Sequence, residues 1–381
     1  MERLWTRSFI FMILGTFFLF TAFYMLYPTL PLFIKHIGGN ETHVGLSMGI
    51  FMLSAVILRP VIGGLLDWFG RRPFIILGLS LFTLAMYMYN WVNGITALIW
   101  LRMLHGVSWA ISTTAILTVI ADIVPTTRYG EGMGWFGTAM TLAMAIGPML
   151  GMWVVQNLSY HALFLFAVAL SITALLLKFG VKMLFQPQSD AKRIEFFEKP
   201  VLSVAVSVLF LFISYASITT FVPLFADLLK VNSGLFFLVY SATLFLSRPI
   251  AGKLSDQYGE MFVVVPALLI SILALIVLSV STGLFGMLVS AVLYGIGFGS
   301  AQPVLQATIV RLVPPDRRGV ANASFSTATD IGIGLGAIIL GWISKYTSYQ
   351  ILFTISAVSV IFSLLVFVFF VKHLLKSKGL R

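Results

Sequence analysis

The chain has 381 residues, of which 59% are hydrophobic and 10% are charged, and it contains no cysteine. A soluble protein of this length needs more charged residues than this to cover its surface. The composition therefore excludes a soluble globular protein and indicates a protein surrounded by lipid. The lack of cysteine excludes disulfides, thiolate metal sites and cysteine nucleophiles. The formal net charge of +11 would favour a nucleic-acid partner in a soluble protein. Here the charges lie in short loops between apolar runs, so no nucleic-acid partner is expected.

Successive apolar runs along the chain are each long enough to cross a bilayer as a helix. The first run begins after Arg7 and continues past Pro28 and Pro31 without a small-residue cleavage pattern. It therefore predicts a spanning helix rather than a signal peptide. The twelve predicted spans are 9–34, 43–66, 74–92, 96–121, 132–155, 160–182, 201–226, 232–254, 261–280, 284–311, 320–343 and 348–371.

Lysine and arginine are distributed unevenly between the two sides of these spans. Most of them lie on one side, which carries the basic residues at both termini and also the pairs Arg71-Arg72 and Arg317-Arg318. Lys35, Lys230 and Lys345 lie on the other side. Because positively charged loops stay inside the cell, both termini are predicted to be cytoplasmic, as is the polar connection after span six. The sequence thus predicts a multi-pass protein of the cell (plasma) membrane.

The sequence contains an internal repeat with an offset of 189 residues. The motif R-P-x-x-G-x-L-x-D-x-x-G runs from Arg59 to Gly70 and recurs from Arg248 to Gly259. Glycines match at the same offset, for example at 106 and 295 and at 147 and 336. Because the motif lies on the same predicted side in both halves, each half must contain an even number of spans. This predicts an N-terminal six-helix bundle (1–182), a cytoplasmic linker (183–200) and a C-terminal six-helix bundle (201–381).

Three motifs carry a resemblance to a known family. The stretch from Gly63 through Asp67 and Gly70 to Arg72 resembles the signature between helices two and three of the major facilitator superfamily. Arg102-x-x-His105-Gly106 resembles its helix-four motif, with His in place of the usual Gln. Gly147-Pro148-x-x-Gly151 resembles the helix-five signature of the twelve-helix drug:proton antiporter branch, although Met152 stands where a second Gly is usual. The resemblance implies an all-α membrane protein with two six-helix repeats, which opens alternately to either side of the membrane.

Asp330 is the first candidate for the chemistry of transport. A charge at the centre of a bilayer costs roughly 2.5–3.5 kcal/mol on insertion scales, so such residues are rare. If span eleven enters near Gly319, Asp330 lies about 16 Å into the membrane. Asn322, Ser326 and Asp330 recur every four residues and share one helix face. Asp330 is therefore predicted to bind a proton or a substrate; the alternative is a permanent ion pair between helices.

Arg102 and His105 are the second candidate, because they share one face of span four with Trp109. Such a pair can pass a proton or hold an anionic group; the alternative for His105 is a hydrogen bond that only packs helices. Arg59 and Arg248 also lie in spans, but their long stems can reach toward the cytoplasm, and we interpret them as structural. The helix-five motif allows either a functional kink or a plain seam of small residues.

Two further sets of residues complete the predicted site. The candidate wall of the substrate pocket comprises Tyr24, Tyr27, Trp109, Tyr215, Tyr294, Phe298 and the polar Ser326. The candidate cytoplasmic gate comprises Gly63, Asp67, Gly70, Arg71, Arg72, Asp122, Asp256, Glu260 and Arg311. Within the gate, Arg71 corresponds to Glu260 in the repeat and Asp122 to Arg311. Both signs reverse together, which predicts an ion pair in each half.

The function predicted from these features is a proton-coupled secondary transporter that exports a small amphipathic organic compound. The nearest alternative is a proton-coupled uptake symporter, since one intramembrane carboxylate can serve either direction. A membrane-embedded enzyme would need converging acid, base and nucleophile groups, and a sensor would need a large soluble output domain. No nucleotide loop or metal-ligand spacing is present, so neither a cofactor nor a metal is expected. The expected partners are a small-molecule substrate, protons and the lipid bilayer, and the protein is expected to be a monomer.

Overall fold

The computed structural model describes residues 3–125, 128–181, 199–314, 318–372 and 374. These residues form twelve helices long and apolar enough to cross a membrane, and the described part of the chain has no β-strand. This confirms the predicted number of spans. The helices are α1 (Arg7–His36), α2 (Glu41–Phe69), α3 (Arg71–Met88), α4 (Ile95–Ile123), α5 (Tyr129–Asn157), α6 (Tyr160–Phe179), α7 (Lys199–Leu228), α8 (Ser233–Tyr258), α9 (Glu260–Ser279), α10 (Leu284–Arg311), α11 (Arg318–Tyr346) and α12 (Tyr349–Val366).

Helices α2 and α8 extend three and four residues past their predicted ends at 66 and 254, because a helix satisfies its own backbone hydrogen bonds whatever its side chains. Helices α2 and α8 continue from the apolar run through the polar part of the repeated motif. They stop at Gly70 and Gly259, which have φ angles of 85° and 87°. An L-residue with a side chain is strained in this left-handed region, which explains why the motif ends in glycine both times. We call the end of each bundle that carries this motif the motif end.

The chain divides into two compact units. Unit 1 comprises Met1–Gly39 and Ile50–Lys192, and unit 2 comprises Asn40–Gly49 and Arg193–Arg381. The sequence placed residues 40–49 in the N-terminal bundle, whereas the structure groups them with unit 2. The physical reason is that Gly45 lies directly against the Ala337 carbonyl of α11. The predicted linker lies outside the described residues except for its last two, which begin α7.

The helices of each unit pack in the same order. In unit 1, α1 packs against α5 and α6, and α3 packs against α4 and α6. In unit 2, the corresponding helix α7 packs against α11 and α12, and α9 packs against α10 and α12. The 189-residue repeat of the sequence is therefore also a repeat of the helix packing.

Glycines at equivalent positions of the two units allow close contact between neighbouring helices. Gly106 of α4 lies against the Phe51 carbonyl of α2, and Gly295 of α10 lies against the Tyr240 carbonyl of α8. Phe51 and Tyr240 are themselves 189 residues apart. Membrane helices associate through close backbone packing rather than the hydrophobic effect, so these glycines set the distance between the helices.

We expect Gly106→Ala to lower the stability of the protein by about 1–3 kcal/mol, because the added methyl group would collide with the backbone of α2. The measurement is the midpoint of thermal unfolding in detergent. Gly134→Ala on α5 is the matched control, since a methyl group there meets open space and alanine favours a helix. Equal midpoints for the two variants would contradict this interpretation.

Candidate functional site

A buried polar cluster in unit 1 joins Arg102 and His105 to Tyr89. The Tyr89 hydroxyl lies 3.0 Å from Nδ1 of His105, and Nη1 of Arg102 donates to the same hydroxyl at 3.3 Å. The Arg102 Nη1 atom is also 3.4 Å from His105 Nδ1. Tyr89 belongs to a single 3₁₀ turn, Tyr89–Trp91, that follows α3. No more than 2% of the surface of any of these three residues is exposed.

The hydrogen bonds of this cluster fix the tautomer of His105. A guanidinium can only donate, so the Tyr89 oxygen accepts from Arg102 and its proton is directed to Nδ1 of His105. Nδ1 is therefore an acceptor, and the ring proton lies on Nε2. Within the described residues, His105 Nε2 is buried and has no hydrogen-bond partner. A second proton on this imidazole would place an N–H against the Arg102 guanidinium, so the arrangement holds His105 neutral.

Aromatic rings enclose the cluster. The His105 ring lies between Phe51 and Phe82, with centroid distances of 4.8 and 4.9 Å. The Phe51 ring also carries the Arg102 guanidinium, whose Cζ lies 4.2 Å from the ring centroid. This cation–π contact helps to stabilise a charge that has been removed from water. Trp109, one turn beyond His105, stacks on Phe23 at 3.8 Å.

Unit 2 has a related aromatic core without the arginine. Tyr215 stacks on Phe298 at 4.8 Å, and Phe298 stacks on Tyr294 at 5.6 Å. The Tyr294 hydroxyl lies 2.8 Å from Oγ of Ser214. In the repeat, His105 corresponds to Tyr294 and Trp109 to Phe298. The same positions are thus aromatic in both units, and the charged group occurs in unit 1.

The predicted polar stripe lies on α11. Asp330 is near the middle of the helix and is 6% exposed, while Asn322 and Ser326 are half-buried. Two residues beyond Asp330, Gly332 lies against the Leu209 carbonyl of α7. Close helix contact at the glycine thus holds Asp330 at a fixed depth within unit 2.

The residues predicted to line a pocket are mostly packed against their own unit. Tyr24 is half-buried and contacts Tyr27 at a centroid distance of 5.3 Å. The other five aromatic members of the set are no more than 4% exposed; they are Tyr27, Trp109, Tyr215, Tyr294 and Phe298. In this structure these rings therefore contact one another, and the half-buried side chains of the set are Tyr24 and Ser326.

The two ion pairs predicted from the repeat are present at the motif ends. In unit 1, Nε of Arg71 lies 3.0 Å from Oδ2 of Asp122. In unit 2, Arg311 bridges two carboxylates, with 2.8 Å to Oε1 of Glu260 and 2.6 Å to Oδ1 of Asp256. The contacts are therefore confirmed in both units.

The remaining predicted gate residues differ in their surroundings. Arg72 is exposed, and a methyl group added to Gly63 would meet open space. Gly70 ends α2, as described above. The side chain of Asp67 lies outside the described part of the chain. The backbone conformation at the end of α2 therefore explains why residue 70 is a glycine. The packing of unit 1 gives no such reason for Gly63 or Arg72.

The helix-five motif forms a close contact between α5 and α1. Gly147 lies against Cβ of Tyr24, and Gly151 lies against the carbonyl of Met25. Pro148 lies between them inside an uninterrupted helix. The small-residue seam that the sequence allowed is thus observed in unit 1.

With this geometry described, the chain can be compared with known proteins. The sequence profile of the Major Facilitator Superfamily matches residues 12–239 and 231–379. The chain belongs to the Major Facilitator Superfamily. It is therefore a multi-pass membrane transporter and not an enzyme.

Proteins of similar sequence and structure support this assignment. The staphylopine export protein of Staphylococcus aureus (strain Mu50) is 25% identical over 371 residues, which cover 91% of this chain and 91% of that protein. The quinolone resistance protein NorA of Staphylococcus aureus (strain MRSA252) is 24% identical over 347 residues, which cover 85% of this chain and 87% of that protein. The crystal structure of the nucleoside transporter NupG (D323A mutant) has a TM-score of 0.78 at 16% identity, covering 95% of this chain and 99% of that chain. This last likeness concerns the fold alone.

Sequence reasoning missed two side chains of the transporter's polar clusters. Tyr89 lies on the helix connection before span four, and no sequence spacing relates it to Arg102. Lys178 was counted among the basic residues of the cytoplasmic side, yet its side chain is buried. The helical periodicity of the sequence predicts neither contact. Lys178 contacts α1, which is 166 residues away in the chain, and Tyr89 lies on a 3₁₀ turn outside the spanning helices.

We expect Tyr89→Phe to destabilise the transporter by about 1.5–3 kcal/mol, the usual range for a hydrogen bond to a charged group. The change removes the acceptor for Arg102 and the donor to His105 while keeping the ring. Thermal unfolding in detergent gives the measurement. Tyr87→Phe is the control, because Tyr87 is 41% exposed. The cluster would be unimportant for folding if both variants unfolded at the same temperature.

The two ion pairs should differ in strength. The Glu260 side chain is 2% exposed, so Arg311→Gln weakens the pairing of a buried carboxylate and should cost about 1–3 kcal/mol. The Asp122 side chain is 41% exposed, so Arg71→Gln should cost about 0–1 kcal/mol. Unfolding midpoints compare the two, and Glu260→Gln combined with Arg311→Gln should recover part of the loss. A larger effect of Arg71→Gln would show that burial does not set these energies.

Proposed function

We propose that this transporter is a proton-coupled exporter of a small amphipathic organic compound. The observation that carries the proposal is the place of Asp330. Among the described residues of the twelve spans, it is the acidic side chain that lies near the middle of a helix, and it is 6% exposed. An ionised carboxylate is costly at that depth, so binding and releasing a proton changes its energy strongly.

Proton coupling provides the driving force in this proposal. One elementary charge that crosses a potential of 100 mV releases about 2.3 kcal/mol. Asp330 takes up a proton when the site opens to the outside and releases it when the site opens to the cytoplasm. In this proposal the His105–Tyr89–Arg102 cluster takes part in proton coupling when a helix movement separates Nδ1 of His105 from the Arg102 guanidinium, because that nitrogen can then accept a proton.

The substrate class rests on the aromatic residues and on the relatives. Tyr24 and Ser326 are the half-buried members of the predicted pocket wall. Aromatic walls with few polar groups suit an amphipathic organic molecule. The names of the relatives, an export protein and a quinolone resistance protein, favour export.

The ion pairs at the motif ends suit a gate on the cytoplasmic side. The exposed pair of Arg71 with Asp122 contributes about 0–1 kcal/mol, which is weak enough to open in each cycle, whereas the pair that involves the buried Glu260 is the stronger of the two. Arg71 with Asp122 would hold the motif end of unit 1, and Arg311 with Glu260 that of unit 2. In this proposal both termini are cytoplasmic, the membrane is the plasma membrane, and the working form is a monomer.

Norfloxacin, a quinolone, serves as the transport probe because one relative is named for quinolone resistance. We expect Asp330→Asn to abolish norfloxacin transport driven by a pH gradient in proteoliposomes, because the amide cannot carry the proton. Expression and the unfolding midpoint should remain close to wild type. Asp227→Asn is the control, since Asp227 is exposed at the end of α7 and should transport normally. Normal gradient-driven flux in Asp330→Asn would refute proton coupling through this residue. Accumulation on the side opposite to that of an antiporter would indicate the uptake symporter instead.

A further inference from the structure

Unit 1 contains a buried lysine that the proposed function does not use. Lys178 lies one residue before the end of α6 and is 1% exposed. Its Nζ donates to the Met12 carbonyl at 2.7 Å and to Oγ1 of Thr16 at 3.2 Å, both on α1. Nζ also lies 3.3 Å from Sδ of Met12. In the part of the chain that the structure describes, no carboxylate is among its partners.

This orientation is opposite to the one expected for a lysine near the end of a spanning helix. Such a side chain usually extends its stem toward water. Helical side chains lean toward the N-terminus of their helix, which for α6 is away from the motif end. Lys178 follows this lean and places its amine inside the bundle.

The surroundings of Lys178 are built to receive its side chain. A methyl group on Gly15 would lie 2.8 Å from Cε of Lys178, so the absence of a side chain there makes room for the stem. Thr16 then supplies a hydroxyl next to the Met12 carbonyl, and that hydroxyl itself donates to the same carbonyl at 2.7 Å. Space, hydroxyl and carbonyl together form a cradle for an ammonium group on α1.

Unit 2 shows the apolar alternative at the same place in the fold. At the 189-residue offset, Gly15 corresponds to Val204, Thr16 to Ala205 and Lys178 to Phe367. All three counterparts are no more than 5% exposed, and the turn Phe367–Val371 packs against α7. The fold therefore has an apolar solution for this contact, and unit 1 carries a buried amine instead. Replacing buried charges by apolar residues is often stabilising, so stability alone does not account for Lys178.

We propose that Lys178 is a positioning residue of the transport cycle, a releasable tether between α6 and α1. In the state seen here its amine holds the motif end of α6 to the Met12 carbonyl and the Thr16 hydroxyl. In the released state the same side chain extends to water at the motif end, and α6 shifts relative to α1. The side chain thus has two alternative sets of polar partners, and exchange between them gives the helix pair two positions. In unit 2 the three corresponding positions are apolar, and the same helix pair is joined instead by buried hydrogen bonds between Ser207 and Ser363, so we expect a single position there.

The distance between α1 and α6 tests this proposal without a substrate. The chain has no cysteine, so nitroxide labels can be attached to Leu14→Cys and Leu176→Cys alone, both at exposed positions. Pulsed electron spin resonance in nanodiscs should show two distances in the otherwise wild-type protein. The repeat-derived variant Gly15→Val/Thr16→Ala/Lys178→Phe should show one. Labels at the corresponding unit 2 positions, Ser203→Cys and Leu365→Cys, should also give one.

A milder variant covers the case in which the triple variant fails to fold. Thr16→Val removes one acceptor of the amine and should shift the ratio of the two populations at least twofold toward the released state. Thr21→Val is the matched control, because the Thr21 hydroxyl bonds within α1 to the Phe17 carbonyl and should leave the ratio unchanged. A single α1–α6 distance in wild type, or the same ratio in Thr16→Val as in wild type, would overturn the tether.

Transport then separates a positioning role from a structural one. The triple variant should unfold at a temperature no lower than wild type and yet transport norfloxacin at least tenfold more slowly. Wild-type flux with a single α1–α6 distance would show that the tether has no part in transport. The spin-label result stands whether or not the wild-type protein carries norfloxacin, so an error in the proposed substrate class cannot be mistaken for failure of the tether.

Discussion

Close backbone contact between helices at small residues is the constraint on which each unit depends. Lipid is as apolar as a leucine side chain, so burying leucine between two helices gains little, and packing must come from surfaces that fit closely. Gly106 and Gly295 provide such surfaces at equivalent places, and Gly147 does so between α5 and α1. These contacts set the distance between the helices, and the side chains that carry charge or hydrogen bonds are thereby held at a fixed depth within each unit.

The two units share this frame and differ in the polar groups that they bury. Unit 1 contains a guanidinium over an aromatic ring, a neutral imidazole and a lysine amine, whereas unit 2 has Tyr294 at the position of the imidazole, stacked with Phe298, which in turn stacks on Tyr215. A guanidinium or an ammonium group can only donate, so a buried cation requires a set of acceptors that a fold provides at some cost in stability. The duplicated fold thus buries Arg102 and Lys178 in unit 1 at positions that Ala291 and Phe367 occupy in unit 2.

The charged groups at the motif ends show how one architecture accommodates reversed signs. Arg71 with Asp122 and Glu260 with Arg311 join the same two helix positions, so geometry rather than sign was kept after duplication. Their surroundings differ, since Glu260 is buried and Asp122 is exposed. The unit 2 pair therefore contributes more to holding its helices, and the unit 1 pair is the easier one to open.

The sequence by itself determined the twelve spans, the duplication and the two ion pairs, because hydrophobic length and a fixed offset are properties of the chain read in order. It also indicated that Arg102 and His105 share a helix face. The tertiary structure decided which groups meet across helices: Tyr89 with Arg102, Lys178 with Met12, and residues 40–49 with unit 2. Such contacts depend on the rotation and depth of each helix. Those are set by packing between segments far apart in the chain, and hydropathy carries no information about them.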